Sequence, residues 1–239
     1  MQCVVLAGGL GTRLGALTAT LPKALVPVAG RPFADHQLAW LAADGVTDVV
    51  YCIGHHGEQV RDFVGDGSRW SLRVTYVDEG EQLRGTAGAL RLALDEGALE
   101  PAFGVLYGDS YLQVDAGAVL RAFEQRDCDV LMTVYRNEGR YDRSNAVLRE
   151  DGSVLYDKRE PDPAKAGMGH IDYGLSVIDR DRVVPGIPAD EPSDLAEVYA
   201  RLSREGRVTG YEVTERFYEV GSPSGIADLE SRLQERTGV

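Results

Sequence analysis

Apolar positions fall into short runs separated by glycine, proline and charged turns, and the spacing within each run assigns its structure. Gln2-Cys3-Val4-Val5-Leu6-Ala7 is continuous, β-branched and of strand length, which predicts a fully buried first strand. From Arg31-Pro32 to about Ala43 the period lengthens to that of an amphipathic helix, with Leu38, Trp40 and Leu41 inward. Asp48 to Ile53 reads as a second buried strand, Gly57 to Val64 as a short helix, Leu72 to Val77 as an alternating third strand and Phe103 to Tyr107 as a fourth. This βαβαβ rhythm with short connections predicts a parallel sheet with helices on both faces, joined by right-handed crossovers. Further on, strands are expected over Asp129 to Tyr135 and Val208 to Val213. Helices are expected over Asp194 to Glu205 and Pro223 to Glu235, the last with Ile226, Leu229 and Leu233 inward. No repeat, linker or low-complexity stretch interrupts the pattern, so one domain over 1–239 is expected. In such sheets ligands bind beyond the carboxyl ends of the strands, and those ends are the places to search.

The first strand runs into Gly8-Gly9-Leu10-Gly11-Thr12-Arg13, followed by Pro22-Lys23. Glycines let the backbone turn sharply and come close to a ligand where a Cβ would stand in the way. Amides at such a junction point outward together and suit an anion. Arg13 adds a planar fork for phosphate oxygens, and Lys23, after the stiff Pro22, adds a point charge. The combination suits a polyphosphate. Two common glycine-loop fingerprints do not fit: Leu14 stands where the dinucleotide motif needs its last glycine, and the chain has no Gly-Lys-Ser/Thr for a Walker loop.

The longer pattern is more specific. Leu6-Ala7-Gly8-Gly9-Leu10-Gly11-Thr12-Arg13-Leu14, then Leu17-Thr18, Leu21-Pro22-Lys23, Leu25-Val26-Pro27-Val28 and Gly30-Arg31-Pro32, resembles the sugar-1-phosphate nucleotidyltransferase family. It is most similar to the short members that load guanylyl or uridylyl groups onto mannose, heptose or muramate 1-phosphates. Gly15-Ala16 stands where the family usually has Arg-Pro, and Ala24 where it often has a second proline; these positions shape the loop. The resemblance implies an α/β, Rossmann-like fold of the nucleotide-diphospho-sugar transferase type. Its sheet is mixed and mostly parallel, flanked by helices, with a small antiparallel excursion at about 135–175 on the acceptor side. Longer members carry a C-terminal β-helix or acyltransferase domain, for which this chain has no room.

The resemblance also assigns residues. Ala7, Gly8, Gly9, Gly11 and Thr12 would hold the nucleotide, with Arg13 and Lys23 catalytic. Gly85-Thr86-Ala87-Gly88 opens an apolar helix, and in the family this stretch and the acid or amide before it hold the base. That carries the role to Glu81, Gly85 and Thr86, with Glu79 and Gln82 competing for the place of Glu81. Gly108-Asp109-Ser110 ends the fourth strand, and a strand-end carboxylate after glycine presents a hard oxygen to Mg²⁺; the family's Gly-Asp motif implies that role for Asp109. The second metal acid of the family precedes a Val/Ile-Gly-Thr/Ser-Pro turn, matched here by Glu219-Val220-Gly221-Ser222-Pro223, with Glu in place of Asp. On the acceptor side, Lys158 matches a lysine that grips the sugar phosphate and Asp172 a position that contacts sugar hydroxyls. Asn145 and Gly174 complete that wall, where Asp142-Arg143-Ser144-Asn145 replaces the family's usual glycine. His170 reads as a loop histidine.

Composition narrows the classes. With 239 residues the chain can bury one sizeable core. A net charge of −13 argues against a nucleic-acid surface and requires that an anionic substrate be held by local cations and metal. No stretch approaches the roughly 18 apolar residues of a membrane span, and the N-terminus is a strand, so a cytoplasmic enzyme is expected. Cys3, Cys52 and Cys128 lie in apolar runs and read as reduced core residues, and the adjacent His55-His56 as a loop cap. Lysines are three, Lys23, Lys158 and Lys165, in a chain that otherwise uses arginine, which hints that a compact ammonium is wanted at the two that fall in family motifs. The partners implied are a nucleoside triphosphate, GTP first, and a phosphorylated sugar, with Mg²⁺ as cofactor; relatives include homodimers. Two alternatives stand: CTP with a phosphocholine-like or phosphonate acceptor, and a non-catalytic sugar-nucleotide sensor. The sensor reading conflicts with the retention of Arg13, Lys23 and Asp109.

Overall fold

The computed structural model describes residues 1–9, 11, 14–15, 18–80 and 82–237. Strand β1 (Gln2–Leu6) leads through the glycine loop and a 3₁₀ turn at Lys23–Leu25 to a small hairpin, β2 (Pro27–Val28) and β3 (Arg31–Pro32). Helix α1 (Phe33–Ala43), β4 (Asp48–Ile53), α2 (Gly57–Val64), β5 (Arg73–Asp78), α3 (Gly85–Asp95) and β6 (Ala102–Tyr107) follow. Then come β7 (Ser110–Tyr111), α4 (Ala116–Glu124), β8 (Val130–Arg136), β9 (Ala146–Leu148), β10 (Val154–Tyr156) and β11 (His170–Asp179). The last elements are α5 (Arg180–Val183), α6 (Leu195–Arg204), β12 (Val208–Val213), β13 (Tyr218–Glu219) and α7 (Pro223–Thr237).

The main sheet is mixed. Strand β1 pairs in parallel with β4 on one side and β6 on the other, and β4 continues in parallel to β5. Beyond β6, β11 runs antiparallel, then β8 antiparallel to it and β12 parallel to β8. Both faces are covered. In β1, Cys3 and Val5 join the core under α1, α2 and α4, while Val4 and Leu6 join the core under α3 and α6. Burial on both faces explains why β1 reads as a continuous apolar run rather than an alternation.

The predicted elements match to within a residue or two at their ends. The region at about 135–175 differs in kind. Strands β9 and β10 form the expected antiparallel pair, but β11 is not confined to an excursion: its C-terminal half lies between β6 and β8 at the centre of the sheet. His170 is accordingly a strand residue, buried and facing Glu212 Oε1 at 3.2 Å, and not a loop histidine. A β-bulge interrupts β11 between Asp172 and Ser176, with Gly174 at φ +103°. A bulge re-aims side chains, and here the Asp172 carboxylate turns back to accept the Gly174 amide at 3.0 Å.

The ends of β1 and β6 are crowded together. A Cβ on Gly108 would lie 2.6 Å from the Leu6 carbonyl oxygen and 2.9 Å from Ala7 Cα, both backbone atoms that cannot swing aside. Gly108→Ala is therefore expected to cost about 2 kcal/mol or more by forcing the strand ends apart. Urea denaturation measures it; a variant within about 0.5 kcal/mol of the parent would mean that the strand ends part freely.

Candidate active site

A cleft of about 690 Å³ opens beyond the carboxyl ends of β1, β5 and β6 and against the amino-terminal half of the antiparallel β11. The glycine loop forms its floor. Gly8 abuts Glu79, whose Oε1 would stand 2.3 Å from a Cβ at that position, while Gly9 faces open space. Gly11 adopts φ +62°, a left-handed conformation suited to glycine. Its carbonyl is tied by Thr18 Oγ1 at 2.9 Å and by the Leu14 amide at 3.0 Å. Thr12, Arg13 and Glu81 lie outside the described residues.

One wall of the cleft is built by β5 and α3. Glu79 follows β5, is buried, and accepts the Arg84 amide at 2.6 Å; burial raises its pKa above the usual carboxylate range. Among the described residues it is the acid that lines this wall, and its competing claim was visible in the sequence. Gly85 and Thr86 both line the cleft, but α3 is locked from behind. The amides of Ala87 and Gly88 donate to the Ser193 carbonyl at 2.9 and 3.3 Å. Thr86 Oγ1 donates to Asp194 Oδ1 at 3.0 Å and accepts the Leu195 amide at 2.8 Å. Two helix N-termini, α3 and α6, are thus clasped together, with Gly85 needed because a Cβ would sit 2.5 Å from the Ser193 carbonyl oxygen.

The acidic centre comes from two distant stretches. Asp109 follows Gly108, and its carbonyl accepts the Val220 amide at 2.9 Å. Strands β7 and β13 pair antiparallel with Glu219 opposite Ser110, so Asp109 and Glu219 line one cleft. The Lys23 ammonium forms an ion pair with the Asp109 carboxylate. Mg²⁺ usually takes one or two carboxylates and completes its shell with phosphate oxygens and water. Hard oxygens from two acids fit that habit, and no group of three or more His, Cys, Asp or Glu side chains placed to hold a metal occurs among the described residues.

The wall formed by β9, β10 and the start of β11 is held by Asn145. Its Oδ1 accepts the Asp172 amide at 2.9 Å, and its own amide and carbonyl bond His170 and Asp157, joining β9 and β11 to the end of β10. Lys158 lies just past β10, exposed at the cleft, and Asp172 and Gly174 line the wall beside it. Burial pushes the Asp172 carboxyl up to about 6, against the opposing pull of the Gly174 amide and Lys158. Sequence reading missed Tyr107 and Asp194, which also line the cleft. Tyr107 read as a strand end and Asp194 as a helix start; Asp194 does cap α6, accepting the Ala196 amide at 3.0 Å. The cysteines are buried and free, with burial pushing Cys3 up to about 12, and His56 stands at the N-cap of α2 as expected of a loop cap.

The raised Asp172 value has a sign that can be checked. Between its unfolded pKa near 4 and its folded value the native state binds more protons, so this group lowers stability as pH rises through that window. Asp172→Asn is expected to stabilise the protein by on the order of 1–2 kcal/mol at pH 7.5. That gain should shrink towards nothing near pH 4, as read by urea denaturation at the two pH values.

With the geometry in view, comparison with known proteins fixes the family. A family model described as nucleotidyl transferase matches residues 2–152. N-acetylmuramate alpha-1-phosphate uridylyltransferase from Neisseria meningitidis is 29% identical over 97% of this chain and 97% of its own. Mannose-1-phosphate guanylyltransferase from Mycobacterium tuberculosis is 30% identical over 96% of this chain, which spans 64% of that relative's length. The crystal structure of HddC from Yersinia pseudotuberculosis complexed with GMP-PN superposes with a TM-score of 0.76 at 21% identity, covering 97% of this chain and 99% of that one. A cleft of this composition, on this fold and with these relatives, means that the chain belongs to the sugar-1-phosphate nucleotidyltransferase family.

Proposed function

We propose that the chain is a Mg²⁺-dependent nucleotidyltransferase that joins GTP to a hexose or heptose 1-phosphate, releasing the nucleoside-diphospho-sugar and pyrophosphate. The observation that carries this reading is the convergence of the glycine loop, Lys23, Asp109 and Glu219 on one cleft. An acceptor phosphate oxygen attacks the α-phosphorus; the bond from that phosphorus to the bridging oxygen breaks, and pyrophosphate leaves with its electron pair. Such a transfer asks for positioning and charge neutralisation more than for a covalent nucleophile. The attacking oxygen is already ionised, so no general base is needed.

In this reading Asp109 and Glu219 hold Mg²⁺, which supplies charge neutralisation at the α-phosphate when bound. Lys23 moves from Asp109 to the phosphate oxygens once the triphosphate is bound, and Arg13 joins it there by analogy with the family. Lys158 orients the acceptor phosphate, and Asn145, Asp172 and Gly174 shape the sugar subsite. Glu79 supports GTP, since one carboxylate can accept both the N1–H and the 2-amino group of guanine, donors that uracil and thymine do not pair side by side. A second reading is favoured by a different feature. Asp142, Asp172 and Asp194 line the same cleft as Lys158, which suits an acceptor bearing an ammonium group, such as a phosphocholine-like or aminoalkyl phosphonate compound used with CTP.

Pyrophosphate release with Mg²⁺, measured across nucleoside triphosphates crossed with sugar 1-phosphates and aminoalkyl phosphates, separates these readings. The expected productive pair is GTP with a sugar 1-phosphate. Silence with every pair would overturn the enzymatic reading. Asp109→Asn is expected to lower kcat by roughly a hundredfold or more with the fold intact by circular dichroism. Glu79→Gln should erode the preference for GTP by about tenfold, seen as a ratio of kcat/KM values.

A further inference from the structure

Helix α1 carries a fully buried amide on its inner face. Gln37 has no solvent exposure and is packed among Phe33, Ala34, Leu38 and Leu41, which are all equally buried. Its Nε2 donates to two backbone carbonyls, Tyr107 at 3.1 Å and Ser110 at 3.0 Å. Those carbonyls bracket Gly108-Asp109. The side chain therefore spans the turn that presents the aspartate, from the face opposite the cleft. Its Oε1 has no hydrogen-bond partner. A buried acceptor left unmet is destabilising, so this glutamine is a poor choice for stability alone; an apolar side chain of the same length would fill the space without the orphaned oxygen.

The same helix also fixes the other partner of the ion pair. The Phe33 amide, in the first turn of α1, donates to the Val26 carbonyl at 3.0 Å. Val26 caps the 3₁₀ turn that begins at Lys23. Both sides of the Lys23–Asp109 pair are thus referenced to one rigid helix: the lysine through Val26, the aspartate through Gln37.

We propose that Gln37 is a positioning residue, which sets the Gly108-Asp109 turn so that the Asp109 carboxylate is placed to receive a divalent cation. The inference rests on the reading of Asp109 as a metal acid. Removing both amide bonds frees the turn to relax away from Glu219, and groups that orient a metal ligand from behind typically change metal affinity by about ten- to a hundredfold.

The test is direct Mn²⁺ binding, followed by electron paramagnetic resonance in the presence of a non-hydrolysable GTP analogue, on the parent, Gln37→Met and Asp109→Asn. Gln37→Met, close in length and volume but lacking the amide, is expected to bind Mn²⁺ about tenfold more weakly. Its metal-free thermal midpoint should fall by no more than a few degrees, because the loss of the two hydrogen bonds is partly offset by the departure of the orphaned oxygen. A purely structural glutamine would lower the midpoint and leave Mn²⁺ binding unchanged, and that result overturns the proposal. Should Gln37→Met not fold, Gln37→Asn keeps a buried amide too short to span both carbonyls. Weaker Mn²⁺ binding in that variant supports the inference, and parental binding overturns it. Asp109→Asn separates the two levels of argument. If it binds Mn²⁺ as the parent does, the metal reading fails and the role of Gln37 with it; if it loses binding while Gln37→Met retains it, the positioning inference alone fails.

Discussion

The site depends on two strand ends that touch. Strands β1 and β6 lie side by side in parallel register, and where they stop, Gly108 leaves no side chain between them. That contact brings the loop at Ala7–Gly9 and the acid at Asp109 to the same edge. Everything else at the centre is arranged around it: the hairpin-like pairing of β7 with β13 delivers Glu219 from the far end of the chain, and the 3₁₀ turn at Lys23 delivers the cation. A parallel sheet gathers strand ends along one edge, so the close approach at Gly108 turns a general property of the fold into a specific pair of neighbours.

Electrostatics then work against the global field. A chain of net charge −13 repels a triphosphate at long range, so attraction has to be local and short-ranged. The ion pair between Lys23 and Asp109 keeps both charges in register without leaving either uncompensated at the cleft. At the start of β11 the balance is different: Asp172 is held by a bulge against its own downstream amide, and burial pushes its carboxyl up to about 6, with Lys158 as the nearby cation.

Much of this was legible in the sequence, and the limits have physical causes. The buried β1, β4 and β6 announced themselves as unbroken apolar runs, and Gly8-Gly9, Pro22-Lys23 and Gly108-Asp109 stood out because such motifs are local; the fold brings Gly8, Gly9, Lys23 and Asp109 to one cleft. Strand β11 did not. His170-Ile171-Asp172-Tyr173-Gly174 mixes polar and apolar residues because it lines a cleft on one side and bends at a bulge, so the pattern resembled a loop and hid a central strand. Gln37 was invisible for a related reason: a glutamine on an apolar helix face is an exception to periodicity, and only the positions of the Tyr107 and Ser110 carbonyls give it meaning. Tyr107 and Asp194 each had an adequate local explanation, a strand end and a helix cap, and the cleft they share is a product of long-range packing.

The clasp between α3 and α6 has a consequence for how such a protein diversifies. Ser193 and Asp194 bind the first turn of α3, and Asp194 also caps α6 and lines the cleft. A change in that connection shifts the first turns of α3 and α6 together. Under the proposed assignment of the cleft, selection for a new acceptor would therefore drag nucleotide preference with it, and the two specificities would evolve as a linked trait rather than as independent modules.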